Sequence, residues 1–159
     1  MAAKFATESG DNPLWQYALA TYGIPGVKEV VLAMQNEFAV DVVMLLADQW
    51  RQQQQLSWPD DSQLQDYLAW RDAIIVPLRA ARQLLSRDSE PLRSQLLKAE
   101  LSAEQEAIRR LYRVLNNTVE SHEPVDVLDT SAAFYDQIAG QKKEALRPLF
   151  QQFINLISD

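Results

Sequence analysis

The chain has 159 residues, of which 47% are hydrophobic and 23% are charged, which is enough apolar surface for a single buried core. It contains no cysteine, and this excludes disulfides, thiolate zinc sites, iron–sulfur clusters and thiol nucleophiles. The formal net charge of −7 disfavours nonspecific attraction of the whole molecule to nucleic acid or to anionic lipid.

Apolar residues recur at intervals of three and four, and only four glycines interrupt the chain, so the pattern predicts helices throughout. Asn12 and Pro13 predict an N-cap followed by proline in the first turn of a helix that ends before Gly23. After a turn at residues 24–26, the spacing predicts neighbouring helices over residues 27–38 and 40–54.

The middle of the chain predicts two long helices. The first begins near Ser62 and presents one apolar stripe, and Pro77 is expected to kink it. A turn at residues 86–89 precedes a second helical stretch that opens at Glu90 and ends near residues 116–120, and the sequence leaves it open as one helix or two.

The C-terminal part predicts a loop containing Pro124, a helix over residues 131–139, and an amphipathic final segment. The expected organisation is a flexible N-terminus (1–11), a helical bundle core (12–120), and a C-terminal helical extension (121–159) that docks on the core or on a partner. The predicted fold is an all-α, single-domain bundle of about six or seven helices with a Pro-kinked long central helix.

The sequence shows no export signal near its start, and its longest apolar stretch, residues 40–47, falls far short of a membrane span. We therefore expect a soluble cytoplasmic protein that does not span a membrane.

A set of short motifs carries a family resemblance. They are residues 14–22 with 25–27, residues 32–35, Asp41 and Val42 with residues 45, 46 and 50, residues 76–79 with Arg82, and residues 100–104. Together they resemble a family of small proteobacterial helical proteins described as a domain of unknown function. The resemblance implies an all-α fold and a bacterial cytoplasmic setting, and it implies no catalytic residue or ligand.

Several chemistries lack their motifs. The glycines at positions 10, 23, 26 and 140 form no phosphate-binding loop, and His122 is the only histidine, so a two-histidine metal site within the chain is excluded. We expect no cofactor and no metal, and we interpret His122 as a loop residue.

Aromatic residues in the first half predict either a filled core or an aromatic-lined pocket. Asp41 and Asp48 lie seven residues apart on one helix and could face inward together, which would require partners such as Arg79 or Arg82. In the other interpretation Asp41 caps or flanks the helix start and Asp48 is solvated or salt-bridged. The candidate pocket residues are Trp15, Tyr17, Tyr22, Asp41, Asp48 and Trp50.

Residues 71–113 hold nine Lys or Arg against six Asp or Glu, so this segment alone is net positive. Its arginines predict either a solvated face or an anchor for an acidic partner. Trp58, beside Pro59, is a candidate exposed anchor. The candidate partner-binding residues are Arg79, Arg82, Arg109, Arg110, Arg113 and Trp58.

The sequence favours a non-enzymatic interaction or adaptor module that recognises an unidentified protein partner or a second copy of itself. The alternative is a small-molecule binding protein, or an enzyme of unusual type, with a pocket between helices. Nucleic-acid binding through the central positive segment is less favoured because acidic segments flank it.

Overall fold

The computed structural model describes residues 12–117 and 143–158, and within these residues all regular secondary structure is helical. The helices are α1 (Pro13–Tyr22), α2 (Val27–Phe38), α3 (Val42–Gln53), α4 (Asp61–Trp70), α5 (Val76–Gln83), α6 (Leu92–Asn116) and α7 (Lys143–Ser158). One π-helical turn, Arg71–Ile75, joins α4 to α5. The predicted all-α bundle is confirmed.

The first helices begin where local chemistry satisfies their free backbone N–H groups. The Asn12 side chain accepts from the backbone N–H of Trp15 at 3.1 Å, with Pro13 in the first turn, as predicted. The third helix starts two residues later than predicted, because Ala39 takes a left-handed backbone conformation and Asp41 caps α3 through the Met44 N–H.

The π turn lies directly before Pro77, where the sequence predicted a kink. Its bond runs from the backbone N–H of Val76 to the carbonyl of Arg71, five residues back. Proline lacks an N–H and its ring clashes with the carbonyl four residues earlier. The π turn therefore replaces bonds to the fourth preceding residue by a bond to the fifth, next to the position where proline would break the α-helical pattern. The α5 helix then begins with Pro77 in its first turn.

One apolar core joins α1, α2, α3, α4 and α6, with Leu45, Met34 and Leu111 fully buried. The α7 helix packs mainly against α2, and it buries Leu146 and Phe153 completely. The predicted flexible segment 1–11, the loop with His122 and the helix over 131–139 lie outside the described residues. None of the helices described is long and apolar enough to cross a membrane.

The α5 helix differs from the others because it has no buried residue. It packs against α6 and the π turn. It forms, with residues 84–91 and the first turns of α6, a helical hairpin at the edge of the bundle, which we call the α5–α6 hairpin. The inner side of this hairpin faces the corner between α2 and α3, and the candidate site lies there.

Candidate functional site

Two adjoining cavities lie between the α5–α6 hairpin and the α2–α3 corner. The first, of about 380 Å³, is lined by the corner (residues 38–44), by the π turn, and by Arg79 and Glu104. The second, of about 350 Å³, is lined by Tyr22, by part of α2, by Arg82 and by α6. Val42 and Glu104 line both cavities, so we treat them as the first and second lobes of one groove.

An ion-pair cluster on the hairpin forms one wall of the groove. Arg79 donates through Nε to Oε1 of Glu100 at 2.8 Å, and Arg82 donates through Nε to Oε2 at 2.5 Å and through Nη2 to Oε1 at 3.3 Å. The two arginines lie three residues apart on α5, and Glu100 and Glu104 lie four apart on α6, so each pair shares a helix face.

Glu100 and Glu104 differ in how well their charges are compensated. Burial favours a higher pKa for Glu100, but hydrogen bonds from Arg82 and Arg79 outweigh it and lower that pKa. Glu104 is 8% exposed and receives one contact from the cluster, from Arg79 Nη2 to Oε1 at 3.2 Å. Burial therefore raises the pKa of Glu104, although Arg79 opposes the shift.

A second polar cluster lies at the first lobe. Asp41 caps α3 with one carboxylate oxygen and uses the other to accept from the Tyr67 hydroxyl at 2.5 Å and from Arg71 Nη1 at 3.2 Å. Arg71 belongs to the π turn and also contacts Asp72 at 2.9 Å. Burial, and then the charge of Asp41, raise the pKa of Tyr67 well above its usual value, so this hydroxyl stays a donor.

The structure brings two of the predicted pocket residues to the groove, Tyr22 in the second lobe and Asp41 in the first. Trp15 and Trp50 are core side chains, and Tyr17 is half-buried against the core. These three aromatic residues do not line the groove.

Asp48 is fully buried away from the groove, where Arg51 contacts it at 2.7 Å and Gln52 donates to it at 3.0 Å. The two acids thus have separate partners, since Asp41 binds Arg71 and Asp48 binds Arg51. The cap and salt-bridge interpretation of the pair describes this arrangement, and neither acid reaches Arg79 or Arg82.

The predicted partner-binding arginines on α6 make contacts within the chain. Arg110 donates to Asp66 at 2.8 Å and lies 4.4 Å from the ring centre of Trp70. Arg109 pairs with Glu106, which Arg110 also contacts. Arg113 is exposed.

Trp58 is half-buried rather than displayed at the surface, and the Arg51 guanidinium lies 5.7 Å from its ring centre. Its predicted role as an exposed anchor has no support in this position.

Four side chains of the groove were not among the candidate site residues predicted from sequence, namely Tyr67, Arg71, Glu100 and Glu104. Glu104 contacts Arg79 of α5. One signal was present: Glu100 and Glu104 are acids within the buried stripe of α6, which also holds Gln105 and the apolar residues Leu101, Ala107 and Ile108. Buried acids in such a stripe require partners from another helix.

Within the described residues, no group of three or more His, Asp or Glu side chains is arranged to hold a metal ion. The polar groups that line the groove are carboxylates paired with guanidinium groups, tyrosine hydroxyls, and Lys28 and Gln35 of α2 in the second lobe.

The chain is similar to a protein family of unknown function. A family model described as "Protein of unknown function (DUF2390)" matches residues 13–111. Neither the curated proteins nor the solved structures gave a match. The matched segment includes every residue that lines the two lobes, from Tyr22 to Glu104, whereas α7 lies beyond it.

Proposed function

Because the chain belongs to the DUF2390 family of proteins of unknown function, we propose its function from the groove: the protein binds a small molecule between the α5–α6 hairpin and the α2–α3 corner. The observation that carries this proposal is the pair of lobes that meet at the buried carboxyl group of Glu104. Each lobe falls within the roughly 300–1,000 Å³ usual for small-molecule sites.

The lining of the groove supports binding. Apolar side chains such as Met44 and Ile75 in the first lobe, and Val31 and Leu101 in the second, alternate with a similar number of polar and charged side chains, several of which are fixed by ion pairs. A mostly preformed site with a few fixed polar groups gives both affinity and orientation.

The π turn supports the same location independently. Single π turns occur mostly within α-helices, frequently at functional sites, since they reposition side chains that a regular helix would direct elsewhere. Here the turn contributes Arg71, Asp72 and Ile75 to the first lobe.

The proposal is tested by filling the groove. Val42 is half-buried and lines both lobes, so Val42→Trp is expected to occlude them while leaving the ion pairs intact. We expect a fragment library, screened by ¹H–¹⁵N NMR on the wild-type protein, to give compounds that shift groove amides, and Val42→Trp to abolish those shifts.

The matched control places the same aromatic side chain at an exposed position of α4, Ala69→Trp, which is expected to bind the fragments like the wild type. If no fragment shifts the groove amides, or if Val42→Trp still binds those that do, the proposed function is wrong.

The interaction module predicted from sequence remains a second candidate, and one observation favours it. Leu84 is 86% exposed and Leu92 is 51% exposed, and both lie at the tip of the α5–α6 hairpin. Exposed apolar side chains of this size on adjoining segments are typical of contact surfaces. The candidate surface thus lies at the leucines rather than at Arg79 and Arg82, which form ion pairs with Glu100 within the hairpin.

A further inference from the structure

The hydrogen-bonding capacity of Glu104 exceeds what the cluster supplies. An ionised carboxylate offers about four acceptor positions. Glu100 fills three of them with contacts from Arg79 and Arg82, whereas Glu104 accepts one, at 3.2 Å, from the same cluster. A buried acceptor with so few donors favours a ligand that brings a donor.

The guanidinium groups of the groove, in contrast to Glu104, already have hydrogen-bond partners. Arg79, Arg82 and Arg71 each already direct two of their nitrogens at carboxylates. An anionic ligand beside Glu104 would have to compete with these ion pairs, whereas a cation there would find Glu104 undercompensated. The other cationic side chain that lines the groove, Lys28 in the second lobe, is exposed, so water and salt screen its charge.

The walls beside Glu104 include apolar side chains on both sides. Met44 and Ile75 line the first lobe, and Val31 and Leu101 line the second. A ligand nitrogen at the shared wall would therefore place an attached hydrocarbon group against one of these surfaces, where burial stabilises it.

We propose that the groove takes a small amphipathic molecule carrying a protonated nitrogen, which donates to Glu104 while its hydrocarbon part lies in one of the lobes. This inference rests on the proposed function and specifies its ligand class. It assigns Glu104 as the ligand's counter-ion and Glu100 as the group that holds Arg79 and Arg82 in place.

The test compares three probes with the same hydrocarbon chain: hexylammonium, hexanol and hexanoate. Amide shifts of the wild-type protein in ¹H–¹⁵N spectra report both location and affinity. We expect hexylammonium to bind at the groove roughly tenfold more tightly than either other probe, because a charge-assisted hydrogen bond is about twice as strong as a neutral one.

Glu104→Gln keeps the size of the side chain and removes its charge, so it should weaken hexylammonium binding to the level of hexanol and leave hexanol unchanged. The wild-type comparison of the three probes does not depend on whether this variant folds. Equal binding of hexanol and hexylammonium, or tighter binding of hexanoate, would overturn the ligand class while leaving the groove as a binding site.

Failure of the proposed function looks different, since neither these probes nor library fragments would then shift groove amides.

Calorimetry gives a second readout for the ligand class. Charged and titratable side chains that interact with Glu104 come from α1, α4, α5 and α6 and include Tyr22, Tyr67, Arg79, Arg82 and Glu100. Burial raises the pKa of Glu104, so binding an ammonium group should release protons. Heats measured in two buffers of different ionisation enthalpy, at a series of pH values rising from 4.5, should show this release where Glu104 titrates in the free protein. Its absence at every pH of the series would count against Glu104 as counter-ion.

Discussion

At the scale of single residues, Glu100 and Glu104 make opposite contributions to stability although they lie one turn apart. We expect Glu100→Gln to lower the free energy of unfolding by about 2 kcal/mol, because two arginines lose their shared carboxylate yet keep partial access to water. Glu104→Gln should change it by less than about 1 kcal/mol at neutral pH, because it also removes a poorly compensated buried charge. Urea denaturation of both variants measures the difference.

The pH dependence of the same two variants follows from the signs of the pKa shifts. The lowered pKa of Glu100 stabilises the fold above its unfolded value, taken as 4.5, and this contribution is lost as the pH falls through the folded pKa. The raised pKa of Glu104 stabilises the fold below 4.5, and that contribution is lost as the pH rises through the folded pKa. Relative to the wild type, Glu104→Gln should therefore gain stability as the pH rises from 4.5 through the folded pKa of Glu104. Glu100→Gln should instead lose stability relative to the wild type as the pH rises through the folded pKa of Glu100 to 4.5, and should show little further change above 4.5. Parallel pH trends in the two variants would contradict this assignment.

The ion pairs of the candidate site were harder to predict than the helix caps, because they join residues far apart in the sequence. Asn12 bonds to a backbone group three residues away, so its role can be read locally. Arg79 reaches a carboxylate 21 residues away and Arg71 reaches one 30 residues away, and several acids were available to each. Only the packing of α5 on α6 selects the partners.

At the scale of elements, the contact between α2 and α7 depends on Gly26. This residue has φ of 91°, a left-handed conformation that disfavours side chains, and an added Cβ would lie 3.3 Å from Leu156 of α7. We expect Gly26→Ala to lower the free energy of unfolding by about 1–2 kcal/mol. Thermal and urea denaturation measure the loss.

Gly23→Ala is the matched control, since Gly23 has φ of −78° and an added Cβ would meet backbone oxygens at 3.4 Å or more. It should leave stability unchanged within about 0.5 kcal/mol or raise it slightly. In a Leu156→Ala background, Gly26→Ala should cost less, because the steric contact is gone and only the backbone strain remains. An unchanged cost there would place the whole effect in the backbone.

The ends of helices could be predicted where capping or turn residues mark them in the sequence. They could not be predicted where they depend on how the chain packs in three dimensions. The end of α1 before Gly23, the span of α2 and the break before α4 were all predicted, because capping and turn residues mark them. The π turn was not predicted, since its cause, Pro77, predicts only that the regular ladder fails and not how the helix accommodates the failure.

At the scale of the whole molecule, the central positive segment is largely neutralised within the fold. Arg71, Arg79, Arg82 and Arg110 all pair with acids of other helices or of the turn that joins them. Arg71 and Arg110 meet acids from outside the segment, whereas Arg79 and Arg82 meet Glu100 of the segment itself. Arg87, Lys98 and Arg113 are exposed. An interaction surface must instead be sought where apolar side chains remain exposed.

The tip of the α5–α6 hairpin gives the prediction that separates the two candidate functions. Leu84→Asp with Leu92→Asp should leave the unfolding midpoint and fragment binding in the groove unchanged, since both leucines are largely exposed. If the hairpin is a contact surface, this double variant loses the concentration-dependent association that sedimentation velocity detects in the wild type.

Gln83→Asp with Gln95→Asp adds the same charges at exposed polar positions of the hairpin and should retain association. Association that survives the leucine substitutions, or that disappears in both variants, would exclude these leucines as its specific cause, whereas Val42→Trp should alter fragment binding alone.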